Sequence, residues 1–477
     1  MSNSLKSSVM SGIKWLALTK IIIQVFRWGA TFWVIRQLNP NDYGVMAIAE
    51  ILINLLTAIS YLCIGNIIIR YKNISKSVMG TLLSFCVLIG IALFIIQFFS
   101  ASYLANFYEI PEAKHVLQVL AIAYLIEIFN VRPFALMAKN LEFKRLAKID
   151  LIAGIFTPLS TIIAAMSGLG YWSLAIGYLV HTFVRFLMAN YMCPTSFTMK
   201  WHVKKTAKLM KFGIQNSFSS AVTQIGNSLD FIIGGVLFST NAIGIYQVGL
   251  QIAFIPLRKI SPELKRLSFP AFCKVSHDLK LVTAYYKKTI RVFSSIIFPV
   301  FWGLSYLSKE ITVTILTDKW IEIAIIIKII CWALPLKLLN EISLSVLNAL
   351  GRADLLIKNS IVSAITLLLC IIAFQFMGIK GLAVAWAVSI VLTYLILLID
   401  MKKILSLSVK SIITMHYPAI LSSAVMYISL IILNNIIQFT GLTSLLVNIL
   451  MGATFYSLAI WIFNRAIIIE IKGLLKR

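Results

Sequence analysis

Acidic residues are what this 477-residue chain most lacks: 17 Asp and Glu stand against 43 Lys and Arg, for a formal net charge of +26. Charge of either sign is sparse at 13% of residues, while 60% are hydrophobic and the mean hydropathy is +0.92. That composition excludes an ordinary globular protein and places the chain among polytopic membrane proteins. Cysteine is scarce and scattered (Cys63, Cys86, Cys193, Cys273, Cys331 and Cys370), with no Cys-x-x-Cys and no histidine at ligand spacing. Neither a disulfide framework nor a metal site is expected. No phosphate-binding glycine loop and no defensible Ser/His/Asp order occur, so neither ATP hydrolysis nor any catalytic residue is expected. A cleavable signal is not apparent either, because the first apolar segment has interior charges and no small-residue cleavage site.

What the chain has in abundance is long apolar runs. Fourteen can be drawn, at 13–36, 43–69, 77–100, 114–138, 147–167, 171–192, 207–238, 242–257, 290–308, 321–348, 358–377, 380–400, 412–434 and 442–464. Most are about 18 to 25 residues, the length of a membrane-crossing helix rather than of a barrel strand. The expected class is an all-α membrane protein with about 14 transmembrane helices.

The basic residues test whether +26 means nucleic acid. Thirty-two of the 43 fall at the two ends and in the even-numbered connectors, and only Arg36, Lys114, Lys309, Lys319 and Lys380 fall in the odd ones. Such a one-sided bias is a topology signal that puts both termini in the cytoplasm, and no nucleic-acid partner is expected. The odd connectors are short and leave no room for an outer domain. The longest connector, 259–289, is cytoplasmic on this count, and its interleaved Lys, Leu and Tyr suit either an amphipathic surface segment or a solvated linker.

An internal repeat is legible. Gly12-Ile13-Lys14-Trp15 aligns with Gly213-Ile214-Gln215-Asn216, and Asn41 and Gly44 with Asn241 and Gly244, at offsets of about 200. SGLGYWSLA from Ser167 resembles MGIKGLAVA from Met377, matching Gly168 with Gly378. Six spans precede each second copy, so the halves share one orientation. The expected domains are a six-helix lobe at 1–205, a second at 206–410, and two additional helices with a cytoplasmic tail at 411–477. Two parallel lobes of this kind enclose a central cavity in alternating-access transporters.

Polar residues inside the spans are the site candidates. Lys20, Gln24, Arg27 and Thr31 recur at helical spacing along one stripe. Glu50 and Asn54, His181 and Arg185, and Gln247 and Gln251 are pairs four apart, and Glu127, Arg132, Gln224, Asn227, Asp230, Lys328, Lys337 and Asn340 complete the set. A charge at mid-membrane costs about 2.5 to 3.5 kcal/mol on insertion scales and usually faces a cavity or a partner. Two readings stay open: cavity lining, or structural pairs such as Lys20 with Glu50, with Arg185 and Lys337 snorkelling to headgroups. As lining, Lys20, Gln24, Arg27, Glu50, Asn54, Gln224, Asn227, Gln247 and Gln251 would suit an anionic, hydroxylated ligand such as a sugar linked through phosphate. Glu127 and Asp230 are candidates for a coupling H+ or Na+; no other cofactor is expected.

Gly12 and Trp15, RQLNPNDYGVMAIAE from Arg36, RPFALMAKNLEFKRLA from Arg132, GYWSLAIG from Gly170, KFGIQNSFSSAVTQIGNSLDFIIGGVL from Lys211 and DKW from Asp318 together resemble Wzx-type polysaccharide flippases. These are the O-antigen and colanic-acid-like members of the multidrug/oligosaccharidyl-lipid/polysaccharide exporter superfamily. The resemblance implies a non-enzymatic flippase in the bacterial cytoplasmic membrane, moving undecaprenyl-pyrophosphate-linked oligosaccharide units for O-antigen, capsule or exopolysaccharide. It also implies membrane lipids and a polysaccharide polymerase with chain-length machinery as partners. Lys20, Arg27 and Asp230 fall on cavity-facing helices in that resemblance, whereas Arg36 to Gly44 and Phe143 to Leu146 fall at helix ends and read as structural. Alternatives are a lipid-linked peptidoglycan precursor flippase, a drug or cation antiporter on the same fold, and a membrane-embedded glycan polymerase or acyltransferase.

Overall fold

A computed structural model describes residues 24–70, 74–140, 142–194, 200–436 and 441–464. Among them the chain is helical throughout, without strands. In the first half the helices are α1 (24–37), α2 (Pro40–Arg70), α3 (Lys76–Phe107), α4 (Pro111–Leu120), α5 (Ile122–Lys139), α6 (Phe143–Met166), α7 (Trp172–Met192), α8 (Val203–Asn227), α9 (Leu229–Leu237) and α10 (Thr240–Ala253). The second half continues with α11 (Ile255–Val275), α12 (Leu279–Tyr306), α13 (Ser308–Ile315), α14 (Ile323–Ala349), α15 (Ala353–Phe374), α16 (Ile379–Ile404), α17 (Val409–Ile436) and α18 (Gly441–Phe463).

Among the described residues ten helices, with α4 and α5 taken as one, are long and apolar enough to cross a membrane. The other expected spans correspond to α2, α8 with α9, and α10, and to α1 for the part of 13–36 that lies within the described residues. α10 has only 14 residues, and the seventh span is broken at Ser228. The connector expected at 259–289 is helical over most of its length. α11 occupies it because Leu257, Leu264, Ser268 and Phe272 recur every one or two turns and are buried on one face, with α14 packed alongside. It is therefore an amphipathic helix rather than a solvated linker, with its apolar face covered by α14. Only Ser276, His277 and Asp278 separate it from α12, whose start Asp278 caps by accepting the N–H groups of Lys280 and Leu281 at 2.8 and 3.2 Å.

The chain divides into two compact units, Met1–Gly244 and Ile245–Arg477. In the first, the NPNDYG motif starts α2. Pro40 takes the first helical position, where a missing N–H costs nothing, and the Asp42 carboxylate reaches back to accept the Asn39 N–H at 2.8 Å, the backward arm of a capping box. Gly44 then packs on backbone: a Cβ there would overlap the Thr240 carbonyl, and a Cβ at Gly244 would overlap the Pro40 carbonyl. The two glycines that the repeat aligns thus sit in reciprocal contacts. The other aligned pair marks turns, for Gly168 (φ 74°) ends α6 and Gly378 (φ 65°) precedes α16, a left-handed conformation that glycine adopts without strain.

In the second unit, α17 and α18 pack against α12 and α13. Asn448 of α18 donates to both Glu310 carboxylate oxygens at 3.1 and 3.2 Å, and Tyr456 donates to the Ser295 carbonyl at 2.6 Å.

Candidate functional site

Within the first unit, cationic groups on α1 and α7 meet at α6. Arg27 on α1 lies ten residues before that helix ends at 37, and its guanidinium rests on Gly154 of α6. A Cβ at Gly154 would sit 3.3 Å from the guanidinium carbon, so the bare backbone makes room for it. His181 on α7 lies within electrostatic reach of Arg185, of Arg27 and of the Asp150 carboxylate on α6. Thr157 spends its own hydrogen on the Ala153 carbonyl (2.7 Å), so the hydrogen in its 3.1 Å contact with His181 belongs to Nδ1. Arg185, one turn on, lies 4.4 Å over the Phe134 ring and 3.9 Å from Asp150, and its buried Nε has no hydrogen-bond partner. Arg185 is 13 residues from the start of the 21-residue α7, roughly 20 Å along its axis.

A second polar network in the same unit holds the acidic candidates. Glu50 on α2 and Glu127 on α5 both act on the hydroxyl of Tyr178 on α7, which is hydrogen-bonded to Thr57. Tyr124 shares Thr57 and donates to Gln97 at 2.7 Å, and Gln97 donates to the Leu117 carbonyl at 2.7 Å. Asn130, fully buried, donates to Glu127 at 3.0 Å. Helices α2, α3, α5 and α7 are therefore tied through polar side chains in their interior.

The remaining candidates are dispersed. Lys20 lies outside the described residues. Gln24 is half-buried on α1, and Asn54 and Asn227 are exposed. Gln224 donates to Ser228 at 3.2 Å. Asp230 is buried in the first turn of α9, where the helix dipole favours a negative charge, and accepts the Phe231 N–H at 3.0 Å. Gln247 and Gln251 are half-buried on α10 in the second unit. Sequence reasoning placed His181 and Arg185 among the intramembrane polar residues and left them out of the ligand set. Their four-residue spacing was visible, but their approach to Arg27 is a tertiary fact. Tyr178 and Thr57 gave no signal, since each reads as an ordinary helix residue.

A chain of membrane-crossing helices with a polar network in their interior, an exposed Arg27 and a half-buried Arg185 has the build of a multi-pass membrane transporter. Its fold matches a solved structure of the lipid II flippase MurJ in an inward closed conformation, with a TM-score of 0.77 at 16% identity, over 95% of this chain and 99% of that one. The sequence profile of the polysaccharide biosynthesis protein family matches residues 34–325, and the chain belongs to that family. Among its relatives, an uncharacterized membrane protein in the cps region of Klebsiella pneumoniae is 23% identical over 99% of both chains. The lipopolysaccharide biosynthesis protein WzxC of Escherichia coli (strain K12) is 25% identical over 89% of this chain and 88% of its own.

Proposed function

We propose that this protein is a flippase that moves an undecaprenyl-pyrophosphate-linked oligosaccharide unit from the inner to the outer leaflet of the bacterial cytoplasmic membrane by alternating access, without a chemical step. The observation that carries the reading is the Arg27, His181 and Arg185 cluster in the first unit of a chain of the polysaccharide biosynthesis family. Guanidinium groups pair with phosphate oxygens two at a time. A charged group in the middle of a membrane helix is tolerated where it meets a watery cavity or a polar partner. In this account the pyrophosphate sits at Arg27 and Arg185, with Lys20 as a further cation, and the amides of Gln24, Asn54, Gln224 and Asn227 bond sugar hydroxyls. The polyprenyl tail stays in lipid.

Glu127 and Asp230, with Glu50, are the groups through which H+ or Na+ binding couples to transport. Both termini lie in the cytoplasm, and a polymerase with chain-length machinery takes up the product on the outer side. A deletion strain tests the reading. It should survive, lose one surface glycan and accumulate the corresponding lipid-linked unit. Loss of viability with accumulation of a peptidoglycan precursor would assign the protein to cell-wall synthesis instead, and an unchanged surface glycan would refute the proposal.

A further inference from the structure

Arg27 and Arg185 can only donate hydrogen bonds, because a guanidinium carries no acceptor. A sugar joined through a phosphate presents anionic oxygens, which take such donors, and beside them hydroxyl or amide hydrogens, which need an acceptor. His181 stands in the same cluster and can supply one. Its place is set by α6, where Asp150, Gly154 and Thr157 follow steps of four and three and so share one helical face. Each of the three meets one member of the cluster. Asp150 lies 3.9 Å from Arg185, Gly154 carries the Arg27 guanidinium, and Thr157 Oγ1 is 3.1 Å from His181 Nδ1. The two helices close tightly just beyond, since a Cβ at Gly177, one turn before His181, would overlap the Thr161 hydroxyl of α6.

Thr157 fixes the hydrogen of the ring as well as its position. The Thr157 hydroxyl donates to the Ala153 carbonyl at 2.7 Å, so Nδ1 must donate to Thr157. A neutral imidazole has one ring hydrogen, and with it on Nδ1 the other nitrogen, Nε2, keeps a lone pair. The ring is half-buried, and among the described residues Nε2 has no hydrogen-bond partner. Arg185 follows one helical turn later on α7, about 5.4 Å along the axis. A phosphate held by the guanidiniums therefore brings the sugar bonded to it within reach of this acceptor.

We propose that His181 Nε2 is a specificity contact for the sugar attached to the phosphate linkage, accepting a hydrogen bond from a hydroxyl or an acetamido N–H of that residue, with Thr157 as the residue that positions it. This rests on the flippase reading for its ligand class. It goes beyond that reading in requiring a hydrogen-bond donor on the first sugar of the unit.

The test is equilibrium binding of radiolabelled inorganic phosphate, glucose 1-phosphate and N-acetylglucosamine 1-phosphate to the full-length protein in lipid nanodiscs, at about pH 8, above the ordinary imidazole range. Arg27→Gln/Arg185→Gln sets the background. His181→Leu should weaken at least one sugar phosphate about three- to tenfold, the contribution of a neutral hydrogen bond, and leave inorganic phosphate unchanged, which also reports an intact fold. His181→Gln, whose amide oxygen accepts, should keep part of the preference. Thr157→Val should weaken the same probes and Thr157→Ser should not. A loss confined to N-acetylglucosamine 1-phosphate assigns the acetamido N–H, and a loss that includes glucose 1-phosphate assigns a hydroxyl. Unchanged sugar-phosphate binding in His181→Leu, or an equal loss of all three probes in both His181 variants, overturns the contact. Normal binding in Thr157→Val overturns the positioning role. Probes that bind the wild type no better than the background overturn the cationic site and the contact together. Glycan export is scored separately in the single Arg27→Gln and Arg185→Gln variants: normal export in both refutes the flippase reading, and the binding data still decide the contact.

Discussion

Alanine at Gly44 or Gly244 should destabilise the first unit through one identifiable contact. The added methyl at Gly44 would enter the Thr240 carbonyl, and at Gly244 the Pro40 carbonyl, so the obstacle is backbone rather than a side chain that can turn away. Overpacking of this kind costs up to about 3 kcal/mol or more, and alanine's better helix propensity returns about 1 kcal/mol, leaving a net loss of about 2 kcal/mol. For a unit of some 240 residues that corresponds to a melting temperature lower by about 4 to 8 °C. The two substitutions touch the same contact, so the double variant should lose less than the sum of the singles. The control is Gly303→Ala on α12, where a Cβ meets nothing within 4 Å and helix propensity alone should leave stability unchanged or raised by up to about 1 kcal/mol. The measurement is thermal unfolding of purified protein at fixed scan rate and detergent, since irreversible unfolding makes the midpoint rate-dependent. Gly44→Ala melting at or above the wild-type temperature would refute the packing argument.

Two further predictions rest on local chemistry. Asp42→Ala removes the acceptor of the Asn39 N–H at the start of α2 and should cost about 1 kcal/mol in the same assay, while Asp42→Glu, which can reach back in the same way, should cost less. Exposed Cys273 and half-buried Cys193 both lie in stretches expected on the cytoplasmic side. In single-cysteine variants an impermeant maleimide should label them in inverted vesicles and not in intact spheroplasts; the opposite pattern would reverse the topology. Burial, with the Glu142 charge adding to it, pushes the Cys193 thiol above its ordinary range. Less of it is thiolate near pH 7, so its labelling should lag a free thiol there and catch up as pH rises past the shifted value.

How far the residues announced this arrangement differs by kind of signal. The NPNDYG motif read as a helix end, and it is one, because proline, a three-residue-back carboxylate and glycine each perform a local backbone task. The repeat offset matched Gly44 with Gly244 and Gly168 with Gly378; the shared turn conformation at the latter pair is local chemistry, but the reciprocal packing of the former is invisible without a fold. Arg27 stood out as a charge in an apolar run, yet its setting against Gly154 and near His181 depends on how α1, α6 and α7 assemble. For 259–289 the sequence left an amphipathic segment and a solvated linker open, and the buried face of Leu264, Ser268 and Phe272 that decides for an amphipathic helix becomes evident only once α14 supplies the opposing surface.

The central claim is that Arg27 and Arg185 hold the anionic bridge of a lipid-linked glycan during transport. The most direct measurement is the leaflet distribution of that lipid in spheroplasts of a deletion strain complemented with Arg27→Gln/Arg185→Gln, scored by the fraction accessible to an impermeant glycosidase, with membrane insertion of the variant verified. Wild-type complementation should make the lipid-linked unit accessible from outside, and the double variant should leave it inaccessible while its total amount rises. Equal accessibility in the variant and the wild type would contradict the account.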